Sequence, residues 1–351
     1  MDFRQSPAFS KYLESSGWKT EQLSDGTYIY IFTLPLMGKV LRIPRPTPPI
    51  NFGEINRMAK KHAAILVKIE PEAVVIARSE SSSDVAILIK KDSHGTYRNG
   101  TSLGMTETLI QDLKNNGYTF DNWSIEPTQT LIVDLKQQEE KLLAELKPKW
   151  RQYIRFAKKS GIEIIEADKI DTFIKIWQEN GQRRGFPTET PDEILTLWRQ
   201  FKKTDSAHLL FASINNQPIA ASFLILWNNT CHLWHLGYNG QYPNLRPLYS
   251  LVWEAILFAK SRGCREFDFE GIEDPRLPYT KKVQPTFFKK GFGGVDRQYL
   301  GSYVKYNKII YKPLFTLLSK LDPTLFLSLY RYRSTSTLVK KAVLSFLRWN
   351  I

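Results

Sequence analysis

The chain has 351 residues, 42% hydrophobic and 13% aromatic, which is enough apolar surface for a sizeable core and too long for one ordinary domain, so two are expected. Its two cysteines, Cys231 and Cys264, exclude a disulfide framework and read as buried free thiols; with no signal-type N-terminal core and no run of about 18 apolar residues, neither export nor a membrane span is expected, and the protein is expected in the cytoplasm. The formal charge of +14 is uneven: residues 302–351 carry nine Lys and Arg against one acidic residue, Asp322, which suits either an anionic partner or a solvated basic face.

In chain order, Thr27–Thr33 and Lys39–Ile43 are rich in β-branched and aromatic residues, with Pro35-Leu36-Met37-Gly38 as a turn between them. Apolar spacing predicts a helix over Glu54–His62 that feeds a strand at Ile65–Ile69. Ser79–Asp84 reads as a loop, Val85–Lys90 as a short strand, and Met105–Asn115 as a helix stopped by Gly117. A strand at Thr128–Leu135 and a charged helix at Gln137–Leu146 follow, and Pro148 marks the boundary between halves. The expected domains are therefore 1–147 and 148–301, followed by a basic amphipathic tail, 302–351.

The second half opens with the basic helix Trp150–Ser160, the strand Ile162–Glu166 and the helix Ile170–Gly181. A loop, Gln182–Pro187, precedes a helix at Asp192–Lys202. Three strands with Asn-rich turns, Ala207–Ile214, Ile219–Trp227 and Thr230–Tyr238, make a meander. Leu248, Leu251, Val252, Ala255, Ile256 and Ala259 recur at helical spacing up to Gly263, and the strand Glu266–Phe269 ends at Glu270-Gly271. This order predicts mixed α/β sheets (α+β). Between strand and helix, Tyr238-Asn239-Gly240-Gln241-Tyr242-Pro243-Asn244-Leu245-Arg246-Pro247 lacks the glycine-rich turn whose N–H groups cradle the CoA pyrophosphate, and its two prolines each remove a donor. CoA is thus disfavoured as acyl donor.

Several motifs in this order resemble the Fem-type aminoacyltransferases of peptidoglycan bridge synthesis. They are Leu248-Tyr249-Ser250-Leu251-Val252-Trp253-Glu254-Ala255, Phe267-Asp268-Phe269-Glu270-Gly271-Ile272 and Phe288-Lys289-Lys290-Gly291-Phe292-Gly293-Gly294. Ile43-Pro44-Arg45-Pro46, Thr130–Leu135 and Arg151–Gly161 agree with earlier parts of the family, and the matches span roughly residues 40–303. Pro46 stands where the family usually has glycine. The resemblance implies two tandem acyl-CoA N-acetyltransferase-like (GNAT) domains. It also implies transfer of an amino acid from aminoacyl-tRNA to a stem-peptide amine of a peptidoglycan precursor, lipid-linked or nucleotide-linked. No exact repeat links the halves, and no heptad-patterned helical arm of the longer members is inserted.

By this resemblance the lysine after Phe288, Lys289, stabilises the oxyanion of the transfer, with Phe288 packed beneath it; a solvated loop lysine, or the adjacent Lys290, is the alternative. Asp268 and Glu270 alternate with Phe267 and Phe269 and share a face, so either carboxylate suits proton acceptance or a hydrogen-bonded turn. Lys39, Arg42 and Arg45, with Arg183 and Arg184 from the second half, suit the phosphates of a precursor, and Tyr238 and Lys290 suit further substrate contact. Arg151, Arg155, Lys158 and Lys159 on the basic helix suit tRNA phosphates or a plain solvated face. His232 and His235, three apart in a strand, make no metal pair, and no metal or cofactor motif is found. The tail alternates apolar residues with cations, so it either packs on the first domain or lies on anionic lipid. Two other functions compete: a CoA-dependent N-acyltransferase of the same fold, and a non-catalytic protein binding envelope polysaccharide or the membrane surface.

Overall fold

The computed structural model describes residues 1–34, 37–77, 85–88, 101–186, 188–277, 280–283, 285–313 and 315–316. The Pro35-Leu36 part of the first turn, the Ser79–Asp84 loop, the last two residues of the expected Val85–Lys90 strand, Pro187 of the expected loop and most of the tail lie outside them. Ser6 opens the first helix, α1 (Pro7–Ser15), its hydroxyl accepting from the Phe9 N–H. Strands β1 (Lys19–Gln22), β2 (Tyr28–Leu34) and β3 (Gly38–Pro44) pair antiparallel. Helix α2 (Phe52–Lys61) then carries the chain to β4 (Ala64–Glu70), parallel to β3. β5 (Val74–Ala77) pairs antiparallel with β6 (Val85–Leu88), and α3 (Thr101–Asn115) leads to β7 (Thr119–Asp121). The core beneath this sheet comes from alternate strand positions and the inner faces of α2 and α3, among them Ile29, Leu41, Ile55, Val67 and Leu113.

The second unit runs through β8 (Gln129–Asp134), α4 (Glu139–Glu145), α5 (Pro148–Lys159), β9 (Glu163–Glu166), α6 (Ile170–Arg184) and α7 (Pro191–Lys202). The meander β10 (Ala207–Ile214), β11 (Gln217–Trp227), β12 (Thr230–Tyr238) follows, then α8 (Pro247–Ser261) and β13 (Glu266–Asp268). Both meander turns are Asn-rich because both central residues take positive φ: Asn215 +49° and Asn216 +62°, Asn228 +48° and Asn229 +61°. Two short helices, α9 (Thr280–Val283) and α10 (Thr286–Lys290), precede β14 (Val295–Tyr299). The sheet order includes the run β8-β13-β12-β11-β10-β9, with β12 parallel to β13 and α8 the crossover between them. Packed on it are Leu224, Leu233, Leu251, Val252, Ile256 and Phe267. Cys231 and Cys264 are free and buried, as expected.

The chain finally returns to the first unit. β15 (Ser302–Tyr306) inserts between β4 and β7, completing the order β1-β2-β3-β4-β15-β7. The two units are Met1–Thr128 with Gln298 onward, and Gln129–Arg297. The boundary expected at 147/148 falls inside the second unit, where Pro148 is the first residue of α5 rather than a linker; its missing N–H is one that a helix start leaves unpaired anyway. The start of the expected tail, Ser302–Tyr306, is a paired strand of the first sheet. Both units are mixed α/β sheets, each with one parallel pair joined through a helix.

Candidate active site at the fork of two parallel strands

In the second unit β12 and β13 pair only from Thr230↔Glu266 to His232↔Asp268. Past that point β12 stays with β11 as far as Tyr238, while the other chain stays with β8. Phe269 N–H donates to Leu131 O at 3.1 Å and Ile272 N–H to Gln129 O at 2.8 Å. The parallel strands thus diverge, and ligands of α/β proteins bind off the carboxyl ends of such strands. The backbone turns sharply here, with Glu270 at φ +55° and Gly271 at φ +109°. A left-handed Glu is uncommon and marks a position held by its surroundings.

What holds it is visible. Lys289, on α10, is buried, and its ammonium donates to Phe269 O at 2.8 Å and Gly271 O at 2.5 Å, the carbonyls on either side of Glu270. These two bonds use two of the three N–H donors of the ammonium. Asp268 Oδ1 accepts from the Thr130 hydroxyl at 2.5 Å and from the Glu270 N–H at 2.8 Å. Glu270 Oε1 lies 2.7 Å from Nδ1 of His232, and Asp268 Oδ2 lies 3.9 Å from the same nitrogen. Burial pushes the Asp268 carboxyl up and Glu270 beside it adds to this, against His232 and Thr130. Burial also pulls Lys289 down to about 8, while Glu270 and Asp268 favour its charge. A His and two carboxylates with ligand atoms within 4.8 Å have the composition of a metal site. Here the three groups contact one another, and both carboxylates favour the charge of the nearby Lys289 ammonium.

The short helix α10 is fixed by α5. Trp150 is buried and donates its indole N–H to Phe288 O at 3.1 Å, and Lys147 N–H donates to Gly291 O at 2.9 Å. A Cβ at Gly291 would stand 2.1 Å from the Trp150 ring, so only glycine fits. Phe288 packs edge-on to Tyr249 at 5.1 Å and to Phe292 at 5.3 Å, a packing role beside Lys289. Lys290, unlike its neighbour, is exposed and paired with Asp296 at 2.7 Å.

Other expected site residues fare differently. Arg42 and Arg45 are buried and used internally. Arg42 pairs with Glu126 and lies 3.7 Å from Glu70, while Arg45 donates to Pro127 O and stacks 3.6 Å over the Tyr299 ring. Both are buried and engaged inside the first unit; strand alternation could not show this for Arg42, because β3 is buried on both faces beyond Lys39. Lys39 is exposed at the other end of that strand. Arg183 and Arg184 are not on a loop but in the last turn of α6, which runs to the left-handed cap Gly185 at φ +72°. Arg183 joins Tyr238, donating to its carbonyl at 3.2 Å and lying 5.2 Å over its ring. Arg151 is spent on the end of α4, donating to the carbonyls of Ala144 at 2.7 Å and Leu146 at 2.8 Å. Arg155, Lys158 and Lys159 remain exposed.

Sequence reasoning missed His232 and underweighted Glu270. The cue would have been cross-strand register, which brings His232 opposite Asp268 and is invisible in one strand's alternation. His235 has a separate carboxylate, Glu189, at 3.3 Å; burial pushes Glu189 up, yet His235 outweighs it and holds the carboxyl at about 2.

The family profile described as an acetyltransferase (GNAT) domain matches residues 142–279. No curated protein matches the sequence. Among solved structures the chain is similar to FemX, with TM-score 0.68 and 14% identity over 90% of this chain and 94% of that one. It is also similar to the C-terminal domain of a putative lysylphosphatidylglycerol synthetase from Agrobacterium fabrum, with TM-score 0.59 and 11% identity over 90% and 92%. The structure named L-PGS from Bacillus licheniformis follows at TM-score 0.53 and 13% identity over 90% and 96%. The fold is thus that of tandem GNAT-like α/β domains.

Proposed function

We propose that the protein is an aminoacyltransferase that moves an amino acid from aminoacyl-tRNA to the stem-peptide amine of a peptidoglycan precursor, lipid- or nucleotide-linked. The observation that carries this reading is Lys289: a buried ammonium at the strand fork, tied to the carbonyls on both sides of Glu270, its third N–H assigned in this reading to the oxygen on which charge develops. The Fem-type motifs that contain it and the likeness of the whole chain to FemX support the same class. The donor follows from the loop before α8. Pro243 and Pro247 lack N–H groups, and Pro247 is the first residue of the helix. That loop is poor in donors for a CoA pyrophosphate, so no dissociable cofactor is assigned.

In this reading the amine attacks the aminoacyl ester, Lys289 takes the charge of the tetrahedral oxygen, and the ribose hydroxyl leaves. Arg155, Lys158 and Lys159 attract tRNA phosphates. Lys39, Arg184, Lys290 and the Arg183–Tyr238 pair are the remaining substrate-contact candidates. The reaction belongs at the inner face of the cell membrane, with the chain beyond Tyr306, whose sequence alternates apolar residues with cations, in peripheral contact with anionic lipid. A lipid-linked acceptor draws support from one observation, the likeness to a structure named for a putative lysylphosphatidylglycerol synthetase. Incubating the protein with charged tRNA, acyl-CoA, precursor and phosphatidylglycerol, and following products by mass, separates the readings. Precursor carrying one added amino acid, abolished by ribonuclease, is the expected outcome; turnover with acyl-CoA alone contradicts it.

A further inference from the structure

Resting on that reading, we propose that Glu270, with His232 as its positioning partner, accepts the proton that the attacking amine loses and returns it to the leaving hydroxyl. Three observations independent of the transfer itself converge on this pair. Glu270 occupies a left-handed backbone conformation, φ +55°, rare for a non-glycine residue and typical of functional positions. Its carboxylate is 2.7 Å from His232 Nδ1, a contact made only because β12 and β13 are in parallel register at their last paired residues. Its flanking carbonyls are the two that Lys289 grips. The oxyanion donor, from α10, is thus hydrogen-bonded to the turn that carries the proton acceptor.

Among the described residues, charged and titratable groups face the pair from β13, α10 and β12. From β13 comes Asp268, already holding the Thr130 hydroxyl of β8 and the Glu270 N–H. From α10 comes Lys289. From β12 itself comes the Cys231 thiol, buried and pushed up by burial, then by Cys264 and Asp268. Asp268 is engaged by the Thr130 hydroxyl and the Glu270 N–H, whereas Glu270 faces the imidazole of His232, the contact through which the proton is exchanged. His232 is the group able to share it near neutral pH.

The step balances without an oxidant or reductant. The amine nitrogen forms a bond to the ester carbon, and the carbonyl electron pair moves to the oxygen beside Lys289. The ammonium proton passes to the Glu270–His232 pair, and the C–O bond to the ribose then breaks. The leaving oxygen takes that proton back. Acid–base assistance of this kind contributes roughly 10²–10⁴-fold.

The test is the pH profile of kcat/KM for transfer from charged tRNA, in the full chain and in Glu270→Gln and His232→Gln. Glu270→Gln should lower the plateau about 10²–10⁴-fold with the donor KM unchanged. His232→Gln should displace the acid limb by about a unit or more, which a purely structural histidine does not do. Wild-type limb and rate in both variants overturn the proposal. An activity-free measurement keeps the pair separable from the donor question. In ¹⁵N-histidine spectra, Glu270→Gln should lower the His232 titration midpoint by about a unit or more. An unmoved midpoint overturns the pair whichever donor is used. A wild-type chain that transfers nothing from charged tRNA overturns the function proposed above and leaves this second measurement to decide the pair.

Discussion

At the scale of residues, Lys289 and Lys290 are indistinguishable in sequence, two adjacent cations in a glycine-flanked motif. Folding separates them because consecutive helical side chains point about 100° apart. One enters the fork and the other reaches Asp296. Lys289→Ala is expected to lower turnover about 10²–10³-fold with little change in precursor affinity, and Lys290→Ala to cost less; steady-state kinetics on both check this. The lowered proton affinity of Lys289, about 8, has two consequences of opposite sign. Its charge is present at neutral pH and lost as pH rises through about 8, so transfer should fall there, and Lys289→Arg should abolish that alkaline limb. Stability goes the other way. An unfolded lysine holds its proton to about 10.4, so between about 8 and 10.4 the unfolded chain binds more protons and this group makes stability rise with pH. Alternation singled out Asp268 and Glu270 together, yet Glu270 lies past β13 in a left-handed turn that alternation does not describe; its histidine was not legible, because register across strands belongs to the fold.

Among elements, helices and strands were legible from spacing and from turn residues, and the differences have local causes. Helix α6 runs on through Arg183 and Arg184 because nothing before Gly185 stops it. The basic helix α5 was read for its charge, yet its structural work is done by Trp150 and Arg151. Gly291→Ala would drive a Cβ into the Trp150 ring and should destabilise the chain by about 1–3 kcal/mol in denaturant unfolding. Activity should be lost beyond that, since α10 carries Lys289. Arg151→Ala should cost about 1 kcal/mol of stability by freeing the carbonyls at the end of α4, without changing the salt dependence of tRNA binding. Replacing Arg155, Lys158 and Lys159 together should leave stability nearly unchanged and reduce the salt slope by about two to three. Filter binding at several salt concentrations distinguishes the two sets.

Across the whole molecule, two domains were legible from length, but the way the chain is shared between them was not. The first unit is closed by β15, contributed from beyond residue 300, a pairing with no local sequence signal. The expected phosphate cations of that unit show the same limit: Arg42 is buried against Glu70 and Glu126, and Arg45 against Asp2 and the Tyr299 ring, partners that a basic cluster on paper does not reveal. Residues 334–351, outside the described residues, are proposed to hold the protein on anionic lipid at roughly 1 kcal/mol per cation near the surface. Their deletion should lower co-sedimentation with anionic vesicles while circular dichroism is unchanged, and binding of the full chain should weaken as salt rises. Unchanged vesicle binding assigns the tail a structural role.

The central claim, aminoacyl transfer at the Lys289 fork, is tested most directly by supplying one isotopically labelled aminoacyl-tRNA with a peptidoglycan precursor to the wild-type chain and to Lys289→Ala. Mass spectrometry should find the label on the precursor amine with wild-type protein, none after ribonuclease, and on the order of 10²–10³-fold less with the variant. Label transfer undiminished in Lys289→Ala, or product formed from acyl-CoA with no tRNA present, contradicts the account.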